Sequence, residues 1–244
     1  MKSFKTPKEV EVGKSLERLF VNSEETVEAR LENFTKYVRR QHLKRLLAMY
    51  EIFKQVLPVK GSVVDCGVRS GFSLMAWAKI STILEPENLT RRIYGFDTFQ
   101  GFPKPHEKDY GASAAPEPGE LVGTTVHELE ALIAEYDRDR FLGHIQKVFL
   151  IEGDAVSTIP SFTEENPHLL VSLLFLDFDL YEPTRVAIER FLPLIPKGGI
   201  IAFDELDNPL WPGETRALQE TIGVGELELR RIEWDPYIAY AVLK

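Results

Sequence analysis

From Gly61 onward the chain alternates between short apolar runs and amphipathic stretches. The runs Ser62 to Cys66, Arg92 to Phe96, Val148 to Glu152, Val171 to Leu176 and Gly199 to Phe203 are the length of strands and almost continuously apolar. That is the pattern of strands buried on both faces, as in parallel sheets. Between them Ser73 to Leu84, Val126 to Tyr136, Val156 to Ile159 with the residues next in line, and Thr184 to Leu192 carry helical periodicity. Strands alternating with helices predict βαβ units and an α/β fold. Upstream, residues 14 to 57 read as two amphipathic helices: Val27, Leu31, Phe34 and Val38 share one face, and Leu43, Leu46, Leu47, Tyr50 and Phe53 another. The tail, Leu227 to Ile232 and Tyr237 to Leu243 around Trp234-Asp235-Pro236, alternates like a closing antiparallel hairpin. These elements divide the chain into an N-terminal helical extension over 1–58 and one α/β domain over 59–244.

Residues 101–124 form the longest irregular stretch. Loops of that length inside a domain are binding loops, lids or disordered segments. Its place after the second strand predicts a lid.

Composition narrows the partners. The formal charge of −9 argues against nucleic acid, which is held by surplus Lys and Arg. Nothing approaches a membrane span and the first residues lack the apolar core of a signal peptide, so a cytoplasmic protein is expected. Cys66 stands alone, so no intrachain disulfide forms, and its apolar neighbours predict a core residue. The basic run Arg39 to Arg45 reads as a solvated helix face or an anchor for an anionic substrate group. Homo-oligomer formation stays open.

The candidate chemistry sits at strand ends. The first strand enters Asp65-Cys66-Gly67-Val68-Arg69-Ser70-Gly71, a strand-to-helix turn with two glycines. Arg69 and Phe72 occupy positions where a dinucleotide fingerprint needs glycine, which disfavours NAD or FAD. The looser turn suits S-adenosylmethionine, which brings no phosphates. Asp97 ends the second strand, the position for an acid that accepts both ribose hydroxyls, with Thr98 beside it. Asp154, with Ala155 after it, ends the third, placed either to contact an adenine amino group or to cap the next helix. Asp177 and Asp179 come after the fourth strand, Asp204 and Glu205 after the fifth. Four clustered acids repel unless a cation or proton offsets them, and an oxygen-only set suits Mg2+.

These segments together resemble the macrocin O-methyltransferase (TylF-type) family of class I S-adenosylmethionine-dependent methyltransferases. The resemblance rests on Val64-Asp65-Cys66-Gly67-Val68, Gly95 to Pro103, Gly153-Asp154-Ala155, Asp177 to Thr184, Phe203-Asp204-Glu205 and Trp211-Pro212-Gly213, and runs over about residues 60 to 220. It implies a Rossmann-like fold, mostly parallel, with the tail hairpin added. It also implies S-adenosylmethionine bound by Asp65, Gly67, Arg69, Ser70, Gly71, Asp97, Thr98, Asp154 and Ala155. Metal ligands would be Asp177, Asp204 and Glu205, with Asp177 and Asp179 catalytic and Asp179 the base. Tyr181 is expected to pack beneath the site, and His106 and His127 flank the lid as weaker base candidates. The implied reaction moves a methyl group to a hydroxyl of a sugar or glycoside. Catechol-type O-methylation of an aromatic diol, a nucleotide-binding oxidoreductase and a non-catalytic cofactor-binding module stand as alternatives.

Overall fold

Apolar runs at successive strand positions produce a seven-stranded sheet in the computed structural model, which describes residues 6–111 and 115–244. Residues 112–114 of the expected lid therefore lie outside the described residues. The chain divides into two units, residues 1–47 and 48–244.

The first unit holds α1 (Pro7–Val21), α2 (Val27–Glu32) and the start of α3 (Arg40–Val56). Two helices were expected from residue 14 onward; there are three, and the first starts at Pro7. Thr6 and Glu9 form a reciprocal capping box with proline at the first turn, a start signal stronger than the apolar periodicity after it. Thr26 accepts from Ala29 N and opens α2, so the polar stretch 22–26 is a real break.

The second unit contains β1 (Ser62–Cys66), α4 (Phe72–Leu84), β2 (Ile93–Asp97), α5 (Val126–Asp139), β3 (Val148–Glu152), α6 (Ala155–Glu165), β4 (Val171–Leu176), α7 (Tyr181–Phe191), β5 (Ile200–Phe203), α8 (Gly213–Thr221), β6 (Arg230–Arg231) and β7 (Ala239–Val242). Strand order is β3-β2-β1-β4-β5-β7-β6. The first five pair in parallel, and β7 pairs antiparallel with β5 and β6. The expected hairpin is present but short, with β6 reduced to two exposed residues. α8 was not among the expected helices; Glu214, Ala217 and Leu218 share its buried face.

Every residue of β1, β4 and β5 is buried, which is why these strands are apolar almost throughout. Aromatic side chains fill both sides of the sheet. Trp77 of α4 packs against Phe53 and Phe175, at centroid distances of 6.3 and 5.5 Å. On the opposite face Phe96 meets Phe162 of α6 at 5.2 Å and Phe191 of α7 at 5.6 Å. Cys66 is fully buried and burial pushes its thiol well above the ordinary range, so it is a neutral core residue. Among the described residues no helix is long and apolar enough to cross a membrane. Strand order reverses between β1 and β4. In open α/β sheets the crevice beyond the carboxyl ends at such a switch point is where ligands bind.

Candidate active site

The turn after β1 is built from below. Asp65 is fully buried, accepting from Ser73 Oγ at 2.8 Å and Trp77 Nε1 at 3.2 Å. Its carboxylate therefore braces the first turns of α4. Gly67, at φ +95°, donates to Phe96 O at 2.9 Å, and a side chain there would land on the Asp177 carbonyl oxygen. Gly71, at φ +82°, heads α4 and brings no side-chain cap hydrogen bond, so the α4 N-terminus follows directly from the glycine turn.

Asp97 ties this turn to the end of β2. One oxygen accepts from Arg69 N and the other from Phe99 N, each at 2.7 Å. Both donors sit in left-handed backbone, φ +50° and +54°, and Asp97 holds them there. Each carboxylate oxygen accepts more than one hydrogen bond, so capacity remains for two hydroxyls. Thr98 donates to Gly101 O at 2.6 Å and shapes the turn beyond it. Beside it opens a cleft of about 480 Å3, lined by Thr98, Gly101, Phe102, Glu152, Gly153 and Asp154 among others. The Asp154 side chain accepts from Val156 N at 3.0 Å, so it caps α6 while lining that cleft. Ala155, buried, begins the helix.

The long loop is less free than its composition suggested. Phe102 N donates to Glu120 O and Gly119 N to Phe102 O, both at 2.9 Å, drawing its two arms together. Thr124 N donates to Arg69 O at 3.3 Å, and Gly123 lies so close to Arg69 and Ser70 that a Cβ would meet their backbone. The loop thus leaves from the Asp97 end and returns onto the glycine turn. His127 is exposed on α5, whereas His106 packs its ring 5.0 Å from that of Tyr181. Tyr181 is buried, and its hydroxyl donates to Glu220 at 2.7 Å.

The acids stand at the β4 and β5 ends. Leu176 pairs with Phe203, and Asp204 N donates to Leu176 O at 2.9 Å, so Asp177 and Asp204 emerge side by side. Asp179 is in left-handed backbone, φ +62°. Sequence reading missed Glu214. It is fully buried and takes one amide from each acidic loop, Asp179 N and Glu205 N, both at 3.2 Å. Burial, then the charges of Asp179 and Asp204, push its carboxyl well above the usual range, against the pull of the two amides. An acid on the apolar face of α8 was the available signal. The three carboxylates assigned to a metal reach one sheet edge but are not drawn into one closed set. Among the described residues no three His, Cys, Asp or Glu side chains stand as a metal site, and Glu205 meets Asn208 Nδ2. Their donors are all hard oxygens, chemically suited to Mg2+.

A crevice with a braced glycine turn, an acid on the second strand and paired acids on the fourth and fifth agrees with one family model, macrocin-O-methyltransferase (TylF), which matches residues 32–225. The chain belongs to that family. It is 28% identical over 166 residues to the 8-demethyl-8-(2,3-dimethoxy-alpha-L-rhamnosyl)-tetracenomycin-C 4'-O-methyltransferase of Streptomyces olivaceus, covering 67% of this chain. The match spans 60% of that relative's length. A crystal structure of CalS11, a calicheamicin methyltransferase, superposes with a TM-score of 0.93 at 36% identity, over 98% of this chain and 94% of that one. The apo structure of CalS11, described as a TDP-rhamnose 3'-O-methyltransferase, gives 0.85 at 35% identity, over 98% and 96%. The O-methyltransferase NovP shares the fold, with a TM-score of 0.65 at 21% identity over 82% and 80%. Membership of the TylF family places the chain among the O-methyltransferases and sets aside the oxidoreductase alternative.

Proposed function

We propose that the acceptor of this TylF-family O-methyltransferase is a hydroxyl of a sugar or glycoside, and that a divalent metal assists the transfer. The observation that carries the reading is the pairing of Asp97 with Arg69 N at one side of the crevice and two acidic loops at the other. Support for a sugar comes from the relatives, whose names place their reactions on rhamnose, in one case nucleotide-linked and in the other within a glycoside.

In this reading the cofactor lies between the β1 turn and the β2 end, with its ribose on Asp97 and its adenine in the cleft beside Gly153. S-adenosylmethionine supplies the methyl group there, and Mg2+ held by Asp177, Asp204 and Glu205 would lower the pKa of the acceptor hydroxyl and orient it. Asp179 accepts the hydroxyl proton as the new O–C bond forms and the S–CH3 bond breaks, with S-adenosylhomocysteine as the leaving group. Glu214 fixes the backbone of both acidic loops, so base and ligands keep their spacing without reorganisation. The described arms of the long loop, at Gly101 to Pro103 and at Gly123 and Thr124, border the crevice and would help exclude water.

Asp97→Ala is expected to weaken S-adenosylhomocysteine binding by about 1.5 to 3 kcal/mol per lost charge-assisted hydrogen bond. Titration calorimetry measures it, and native affinity in the variant would remove Asp97 from the ribose. Metal dependence has its own check. Turnover is expected to fall to background in excess EDTA and to return with Mg2+, while S-adenosylhomocysteine affinity holds. Undiminished turnover under chelation would discard the metal and leave the methyl transfer to be explained by Asp179 alone.

A further inference from the structure

Asp109 is 2% exposed, although it sits within the long polar loop. One carboxylate oxygen accepts from His106 N at 2.7 Å and closes the turn over 106–109. The other reaches across the crevice rim and accepts from Tyr181 N at 2.6 Å. Tyr181 begins α7, and the residue ahead of it, Leu180, has no capping side chain. Asp109 therefore caps that helix from a remote loop, satisfying an amide that otherwise has no partner in the helix.

The same junction is closed from a third side. A Cβ on Gly213 would strike Asp109 Oδ1 and would lie 2.5 Å from Tyr181 N and 2.7 Å from Asp179 O, so α8 seats there only through glycine. Arg216 of α8 donates to Lys108 O at 2.6 Å and to Tyr110 O at 3.2 Å. Lys108 Nζ in turn donates to the Tyr181 hydroxyl at 3.1 Å and pairs with Glu220. The 106–110 segment is thus bonded to both helices that frame the acidic loop.

We propose that Asp109 is a positioning residue, tying the long loop to the acidic loop so that seating of the one sets the direction of Asp179 in the other. This rests on Asp179 being the base. Asp179 is held on one side by Glu214 through its own amide and, two residues on, by Asp109 through Tyr181 N. Its left-handed backbone is costly in isolation and persists because both ends are fixed.

The test is Asp109→Asn, which leaves one oxygen for two amides. Amide hydrogen exchange over residues 177–184, read by mass spectrometry with saturating S-adenosylhomocysteine, is expected to quicken. S-adenosylhomocysteine affinity should hold, and kcat for the sugar acceptor should fall by about 10- to 100-fold with KM for S-adenosylmethionine unchanged, the size of effect a small misplacement produces. Native exchange over 177–184, or a loss confined to KM for S-adenosylmethionine, overturns the assignment. Should that variant not fold, Arg216→Gln loosens the loop from outside and is expected to give the same pattern at smaller amplitude; native exchange in that folded chain overturns it equally. A native chain that methylates no sugar would defeat the proposed function, whereas exchange over 177–184 would still decide whether Asp109 holds the loop.

Discussion

Asp179→Asn is expected to lower methyl transfer by about 10²- to 10⁴-fold, the usual worth of a positioned general base. The substitution is close to isosteric. Asparagine is among the few residues that tolerate left-handed backbone, so φ +62° at this position is retained. The amide that Asp179 donates to Glu214 belongs to the backbone and is also kept. What is lost is the proposed proton acceptor and one negative charge beside Glu214. Binding of S-adenosylhomocysteine, whose proposed contacts lie on β1, β2 and β3, should stay native. Steady-state turnover and calorimetry on the same preparation decide the matter. Native turnover in the asparagine variant would reassign the base, with His106 the nearest alternative on the loop, whereas loss of both turnover and cofactor binding would indicate general damage.

The second large effect is expected at Gly67, and it is structural before it is catalytic. Gly67 sits at φ +95°, and a methyl group there would land on the carbonyl oxygen of Asp177. That oxygen is backbone on the neighbouring strand end and cannot rotate away. Gly67→Ala should therefore separate the ends of β1 and β4, which are joined by Asp177 N donating to Cys66 O at 2.8 Å. Strain and the lost contact together are expected to cost about 2 to 4 kcal/mol of stability. Cofactor binding should fall with it, because the turn carrying Arg69 shifts. Gly225→Ala is the control: nothing lies within 4 Å of its Cβ position, so a change within about 0.5 kcal/mol is expected. Urea unfolding of both variants is the measurement, and equal midpoints would show that the close approach at Gly67 is not needed.

The runs that became β1 and β4 were legible to the residue, because strands buried on both faces have few polar positions to blur their limits. Asp97 and the paired acids of the fourth and fifth strands were legible too, since each comes directly after such a run. Thr6, Pro7 and Glu9 held the start of α1 in plain view as the local signature of a capping box. Strand content, the strand ends at which the acids gather and the family are thus written in residue order alone. How that chemistry is held came only with the assembled sheet. Glu214 reaches Asp179 N across 35 positions and Asp109 reaches Tyr181 N across 72. Asp65, which reads as a ligand contact, turns inward to Ser73 and Trp77, and Asp154 spends an oxygen on its own helix. Periodicity reports which face of an element is buried, and local motifs report how it begins. Neither records which distant amide a carboxylate will meet, because that contact exists only once strand order has brought the loops to one edge of the sheet.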